Sequence, residues 1–285
     1  MTENVSLVHS VAELRAAVAG FRAAGERVAL VPTMGALHAG HLSLVEAARR
    51  HAERVVVTIF VNPAQFGPSE DFAKYPRTLP EDLTQLARVT ADLCFAPTVE
   101  EIYPRGFATR VEIDGPARVG LEDRFRPTHF CGVATIVAKL LNQAQADVAI
   151  FGEKDYQQLL VIKQLAQDLD IATQILAAPT MREEDGLAMS SRNVYLSVEE
   201  RRTAPALYAA LNEAMRAIAG GEAVEAVLEK TRASLEASGF VIDYVEARHA
   251  QTLAPLSGQR EAPMRLLAAV RLGGVRLLDN IEGWG

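Results

Sequence analysis

From residue 27 to residue 178 short strand-like runs alternate with stretches of about 10–15 residues of helical periodicity. RVALVPT (27–33), RVVVTIFV (54–61), DLCFA (92–96), DVAIF (147–151) and TQILAA (173–178) read as strands. Helices are predicted over 41–52, 80–89, 132–145 and 155–169, and an earlier one from Val11, Leu14, Val18 and Phe21, with Gly25 as its stop. Strands separated by helices pair through crossovers rather than hairpins, so they run parallel and need cover on both faces. The pattern predicts an α/β fold with a doubly wound parallel sheet, assigned to residues 1–179.

After Pro179 the alternation stops. Residues 180–193 are polar and contain Gly186, which predicts a loop. Helical stretches over 199–218 and 222–237 follow, separated by Gly220-Gly221. Strands are predicted over 240–248, 265–271 and 275–278, the last two joined by a hairpin at Gly273-Gly274. This order predicts a smaller α+β domain over residues 180–285. With 29 Lys+Arg against 36 Asp+Glu, the net charge of -7 argues against binding a nucleic-acid backbone. A local cationic pocket for a small anion remains compatible with it. No apolar run approaches the roughly 18 residues that a membrane span needs, and the N-terminus lacks a basic stretch leading into an apolar one. A cytoplasmic protein is expected. Cys94 and Cys131 form no CxxC and lie in apolar sequence, which predicts two buried thiols in a reducing compartment.

Four segments carry chemistry. Met34-Gly35-Ala36-Leu37-His38-Ala39-Gly40-His41 joins a strand to a helix, where open α/β sheets bind ligands. Its glycines permit close backbone approach, a helix N-terminus favours phosphate, and two imidazoles can donate to charge developing on a phosphoryl group. Met189-Ser190-Ser191-Arg192-Asn193 offers two hydroxyls and a two-pronged guanidinium suited to phosphates, although a turn could also use such residues. Gly152-Glu153-Lys154-Asp155, followed by Tyr156-Gln157-Gln158, again joins strand to helix. Lys154 supplies a positive charge and Asp155 a helix cap, and the GxxxxGK[ST] of a Walker loop is absent. In Phe60-Val61-Asn62-Pro63-Ala64-Gln65-Phe66, Asn62 and Gln65 present neutral hydrogen-bonding groups and Phe66 an apolar wall.

The first segment resembles the HIGH motif of nucleotidylyltransferases and class I aminoacyl-tRNA synthetases, which place ATP on a Rossmann-like domain. The second is similar to the KMSKS-type loop that accompanies it. Together, VPTMGALHAGH, IFVNPAQF, YPRT, RPTHFCGV, FGEKDYQQL and DGLAMSSRN resemble, in order and spacing, the pantoate–β-alanine ligase family, and the likeness runs nearly end to end. Thr128 stands where that pattern has glycine, and Met189 where leucine is usual. The resemblance implies ATP-dependent condensation of pantoate with β-alanine through a pantoyl adenylate, releasing AMP and pyrophosphate. It implies an ATP site at residues 34–41, Gly152, Glu153, Lys154, Asp155, Met181 and Met189 to Arg192. His41, His38, Lys154, Ser190, Ser191 and Arg192 would be the catalytic groups, and Gln65, Gln158 and Asn62 would meet substrate. It further implies Mg²⁺ with the acidic pair Glu81 and Asp82, although first-turn acids also suit a helix dipole. A homodimer is implied as well. The alternative reading is another HIGH-class nucleotidylyltransferase with a different small acceptor. Asn62, Gln65 and Gln158 argue against a phosphorylated acceptor, which would call for more basic residues.

Overall fold

The computed structural model describes residues 5–68, 70–256 and 263–283. Val28, Ala29, Leu30 and Val31 are all buried, as are Val55, Val56 and Val57, so both faces of their strands are covered. That is what a continuous apolar run in a parallel sheet requires. The chain divides into two compact units.

The first unit comprises residues 1–117, 122–153 and 158–179. Its elements in chain order are β1 (Ser6–Val8), α1 (Val11–Ala23), β2 (Val28–Thr33), α2 (Ala39–Arg49), β3 (Arg54–Ile59), α3 (Leu79–Arg88), β4 (Leu93–Phe95), α4 (Val99–Ile102), α5 (Glu122–Phe125), α6 (His129–Ala144), β5 (Val148–Gly152), α7 (Tyr156–Asp168) and β6 (Gln174–Ala178). The six strands form one parallel sheet in the order β1-β4-β3-β2-β5-β6. α2 packs across β2, β3, β5 and β6 on one face, and α6 meets β2 and α1. The doubly wound sheet expected from the alternation is present. Strand β1 is an addition; three residues are too few to show a period. At Ser10 a reciprocal cap with Glu13 starts α1, and Gly25 turns the chain beyond it at φ +78°. Thr128, in place of glycine, sits at φ -98° and ψ -5°, a conformation open to any residue.

The second unit comprises residues 118–121, 154–157 and 180–285. Two short segments of the span assigned to the first domain therefore group with the second. It contains α8 (Val198–Thr203), α9 (Ala206–Ala219), α10 (Val224–Ala237), β7 (Val241–His249), β8 (Met264–Leu272) and β9 (Val275–Gly283). β8 is the centre of an antiparallel sheet, and α9 and α10 cover it with a core that includes Leu207, Leu211, Val227, Leu235, Leu266 and Val270. The single helix expected over 199–218 is two, because Pro205 cannot continue the hydrogen-bond ladder. β9 runs five residues past the expected end at Leu278. Asp279 and Asn280 look like turn residues in sequence, yet both are buried and paired along β8.

Cys94 is buried, whereas Cys131 is only half-buried, against expectation. Burial, with the charge of Asp82 nearby, pushes the Cys94 thiol up to about 12, so it is inert. Among the described residues no helix is long and apolar enough to cross a membrane.

Candidate active site

The sheet order places β2 beside both β3 and β5, and the chain winds away from it in opposite senses. The carboxyl ends of β2 and β5 therefore flank the topological switch point, where such sheets take ligands. Met34–His41 follows β2, and Gly152 ends β5 with Glu153 just beyond it, so both segments lie at ends of strands that meet there.

The turn after β2 is a mount for two imidazoles. His38 caps α2: its Nδ1 accepts from the Gly40 N–H at 3.1 Å, and the His38 N–H donates to His41 Nδ1 at 3.4 Å. The ring centroids lie 4.1 Å apart. With Nδ1 accepting in both rings, a neutral imidazole carries its proton on Nε2. The backbone of the turn is used within the protein. Gly35 N–H donates to Thr33 Oγ1, and the Ala36 and Leu37 N–H groups donate to Asp82 at 3.0 and 2.8 Å. The N–H groups of residues 35–38 and 40 are thus not a phosphate cradle, and the imidazoles are the chemical groups this turn offers.

Asp82, expected beside Mg²⁺, is 2% exposed at the start of α3. Both its oxygens accept from the turn, and Thr78 Oγ1 adds a third donor at 3.3 Å. Burial raises its pKa, and the Leu37 and Ala36 N–H groups oppose the rise. Glu81 is exposed.

At the end of β3, Asn62 is 1% exposed and fully engaged. Its Nδ2 donates to Gln65 Oε1 (3.0 Å) and to the Gly132 carbonyl (3.2 Å). Its Oδ1 accepts from the Ala64 N–H and from the Tyr103 hydroxyl (2.7 Å). The expectation that Asn62 meets substrate is therefore corrected: an amide with both donors and both lone pairs satisfied inside the protein has nothing left for a ligand. Asn62 instead orients Gln65, whose Nε2 rests on the Met34 thioether at 3.2 Å. A thioether is a weak acceptor, readily exchanged for an oxygen.

The Gln65 backbone is held from the other side. His129 Nδ1 lies 3.0 Å from the Gln65 carbonyl, and Arg126 Nη1 lies 3.1 Å from His129 Nε2. Arg126 only donates, which fixes His129 as a neutral ring donating from Nδ1. Burial, then the Arg126 charge, lowers the His129 pKa to about 4. Glu70 holds Arg126 through two bonds of 2.7 and 2.8 Å. In sequence the RPTHF segment gives Arg126 and His129 no task, since their partner is a main-chain carbonyl 64 residues away from His129. Gly132 carries no signal there either. A Cβ at this position would stand 2.7 Å from Gln65 Cα and closer still to the Ala64 carbonyl. Gly132→Ala is expected to cost about 1–3 kcal/mol, as overpacking against fixed backbone does. Urea unfolding measures it, and an unchanged midpoint would mean that the 63–65 turn yields freely.

Gly152 at the end of β5 and Glu153 beyond it are half-buried, and Gln158 lies in the first turn of α7, also half-buried. In the second unit, Lys154 Nζ lies 3.8 Å from Asp155 Oδ2, and Asn280 Nδ2 donates to the Lys154 carbonyl at 2.9 Å. Asn280 is itself met by Arg265, whose guanidinium stacks 3.6 Å from the Tyr156 ring centroid. Residues 181–189 form a tight hairpin, closed by the Met189 N–H on the Met181 carbonyl and the Glu183 N–H on the Leu187 carbonyl. Arg182 clamps it through two bonds to Asp279, of 2.6 and 2.8 Å. Ser190 then caps a short 3₁₀ turn over Ser191–Tyr195, its Oγ accepting from the Arg192 N–H. Ser190, Ser191 and Arg192 are half-buried, and Met181 is exposed.

The profile of the pantoate-beta-alanine ligase family matches residues 6–282. Pantothenate synthetase 2 of Bradyrhizobium diazoefficiens is 52% identical over 281 residues, 99% of each chain. The crystal structure of pantothenate synthetase from Thermus thermophilus superposes with a TM-score of 0.92 at 48% identity, covering 99% of this chain and 100% of that one. A pantoate-beta-alanine ligase from Francisella tularensis, solved with beta-gamma ATP and beta-alanine, gives 0.82 at 32% identity, covering 98% and 97%. With a family profile across nearly its whole length and relatives matched end to end, the chain belongs to the pantoate–β-alanine ligases.

Proposed function

We propose that the protein condenses pantoate with β-alanine to pantothenate in two steps driven by ATP. In the first, a pantoate carboxylate oxygen attacks the α-phosphorus, the bond to the β-phosphate oxygen breaks, and pyrophosphate leaves. In the second, the β-alanine amine attacks the acyl carbon of the pantoyl adenylate, loses a proton, and AMP leaves. The observation that carries this reading is the paired imidazole mount at the switch point, with Nδ1 of each ring spent on the turn. His38 and His41 then donate from Nε2 to charge growing on the α-phosphoryl oxygens, the transition-state interaction that accelerates such a transfer. Lys154, Ser190, Ser191 and Arg192 take phosphate oxygens. Met34–His41, Gly152, Glu153, Asp155, Met181 and Met189 complete the ATP site. Gln65, pre-aimed by Asn62, and Gln158 hold pantoate.

The residues do not fit a protein-held Mg²⁺. Asp82 has both oxygens on backbone N–H groups, and among the described residues no three His, Cys, Asp or Glu side chains gather as a metal would need. Mg²⁺ fits as a companion of ATP, bound by phosphate oxygens and water. A homodimer in the cytoplasm completes the proposal; sedimentation tests the first point and fractionation the second.

The defining experiment measures AMP release with ATP, pantoate and β-alanine, omitting each in turn; release without pantoate would overturn the proposal. Gln65→Ala and Gln158→Ala are expected to raise the pantoate KM with ATP affinity kept. Each lost bond should cost about 0.5–1.5 kcal/mol, roughly a two- to tenfold rise. Calorimetric ATP titration of both variants checks the assignment, and a tenfold loss of ATP affinity at normal pantoate saturation would reverse it.

A further inference from the structure

We infer that Asp82 is a positioning residue for the phosphoryl transfer: its carboxylate clamps the Ala36 and Leu37 N–H groups and thereby sets the mount of His38 and His41. This rests on the assignment of those two rings to the first step.

The backbone at the turn needs a clamp. Gly35 and Ala36 lie in the left-handed region, at φ +81° and +50°. Glycine adopts it freely, but for alanine it is a strained state that persists only where the surroundings over-determine it. The strain sits one peptide before Leu37 and two residues before the helix cap, so relaxing it would swing His38 and the ring it carries. Asp82 opposes that swing with one oxygen on each successive N–H, at 3.0 and 2.8 Å. It comes from the start of α3, well separated in sequence, and the turn packs directly on it. A Cβ at position 35 would meet Asp82 Oδ2 and Ile59 Cγ2, each at 3.0 Å. Successive N–H groups converging on one point form an anion-binding concavity. Here the anion is the protein's own, which keeps those donors from a substrate phosphate. It also leaves the carboxylate's charge met by three donors where substrate phosphates must approach.

A metal ligand would look different. Mg²⁺ takes oxygens at about 2.0–2.1 Å in an octahedral shell, and with three donors already on Asp82 only one of its roughly four lone-pair positions is left for such an ion. The exposed Glu81 on the same turn of helix does not share the work.

The test begins with the unaltered protein. Hydrogen exchange at the Ala36 and Leu37 amides should be slow, and equally slow with and without Mg²⁺ in the absence of ATP. Faster exchange on adding Mg²⁺ would show the carboxylate leaving the turn for the metal and would overturn the inference. Asp82→Asn preserves size but turns an amide donor toward one of the two N–H groups. Pantoate-dependent exchange of pyrophosphate into ATP should then fall on the order of 10²-fold in kcat, the loss a small misplacement of reacting groups produces. The KM for ATP and the Mg²⁺ concentration giving half-maximal rate should stay unchanged, while the two amides lose protection. Recovery of the rate at high Mg²⁺ would overturn the inference, as would a folded variant with released amides and the wild-type rate. If wild-type protein gave no pyrophosphate exchange, the two-step reaction would fail while the amide result stood separately.

Discussion

His41→Ala is expected to cut pantoate-dependent exchange of labelled pyrophosphate into ATP by about 10²–10³-fold, the usual loss when one preorganised donor is removed. Two consequences meet at this position. The ring lies 4.1 Å from His38, and in the role proposed for the pair its loss removes one donor toward the α-phosphoryl group. The same ring accepts the His38 N–H, so the cap of α2 is weakened as well. Amide formation starts from an acyl group already activated and should suffer less. Preformed pantoyl adenylate given to the variant should still yield AMP on addition of β-alanine. Wild-type exchange should proceed without β-alanine, because a bound adenylate can run backwards. Equal losses in both half-reactions would show that His41 serves both, and exchange that requires β-alanine would remove the free-standing adenylate step.

The largest stability effect is expected in the second unit, from Arg182→Met. The Asp279 side chain is 2% exposed and depends on two short bonds from Arg182. Burial raises the Asp279 pKa, and the Arg182 bonds and charge oppose that rise. Removing one partner of such a pair leaves an uncompensated buried charge, at about 3–5 kcal/mol. Arg182 also donates to the carbonyls of Gly186 and Asn280 and lies 3.7 Å from the Tyr208 ring centroid, so the 181–189 hairpin should loosen with it. Adding Asp279→Leu should recover part of the loss, since two apolar groups need no partner. Urea unfolding of both variants decides the matter. A single variant within about 1 kcal/mol of wild type would show the pair to be an ordinary surface contact.

The parallel sheet was legible because its strands are apolar without interruption and the helices between them keep their period. The motifs at the ends of β2, β3 and β5 were legible because strand-to-helix turns are where such sheets put chemistry. Asn62 misleads for a physical reason: an amide at a strand exit looks the same in sequence whether its partners are a ligand or Gly132, Ala64 and Tyr103. Asp82 shows the same limit, since first-turn acids are compatible with a helix dipole, a metal or a backbone clamp, and only the direction of the side chain decides. Arg126, His129 and Gly132 act on the main chain at residues 64–65, far away in sequence, where no spacing rule reaches. Asp279 and Asn280 hid the end of β9 because their burial depends on Arg182 and Arg265, which periodicity does not connect to them.

Asn280 holds the Lys154 carbonyl across 126 residues of chain, and Tyr156 reaches forward to the Ala250 carbonyl. During synthesis the six-stranded sheet has all its strands once Ala178 has emerged. The segment 154–157 groups with the second unit and must wait for β9. At roughly 5–20 residues per second, 126 residues correspond to a delay on the order of ten seconds. A nascent chain therefore carries a finished sheet and an unanchored lysine for most of that interval.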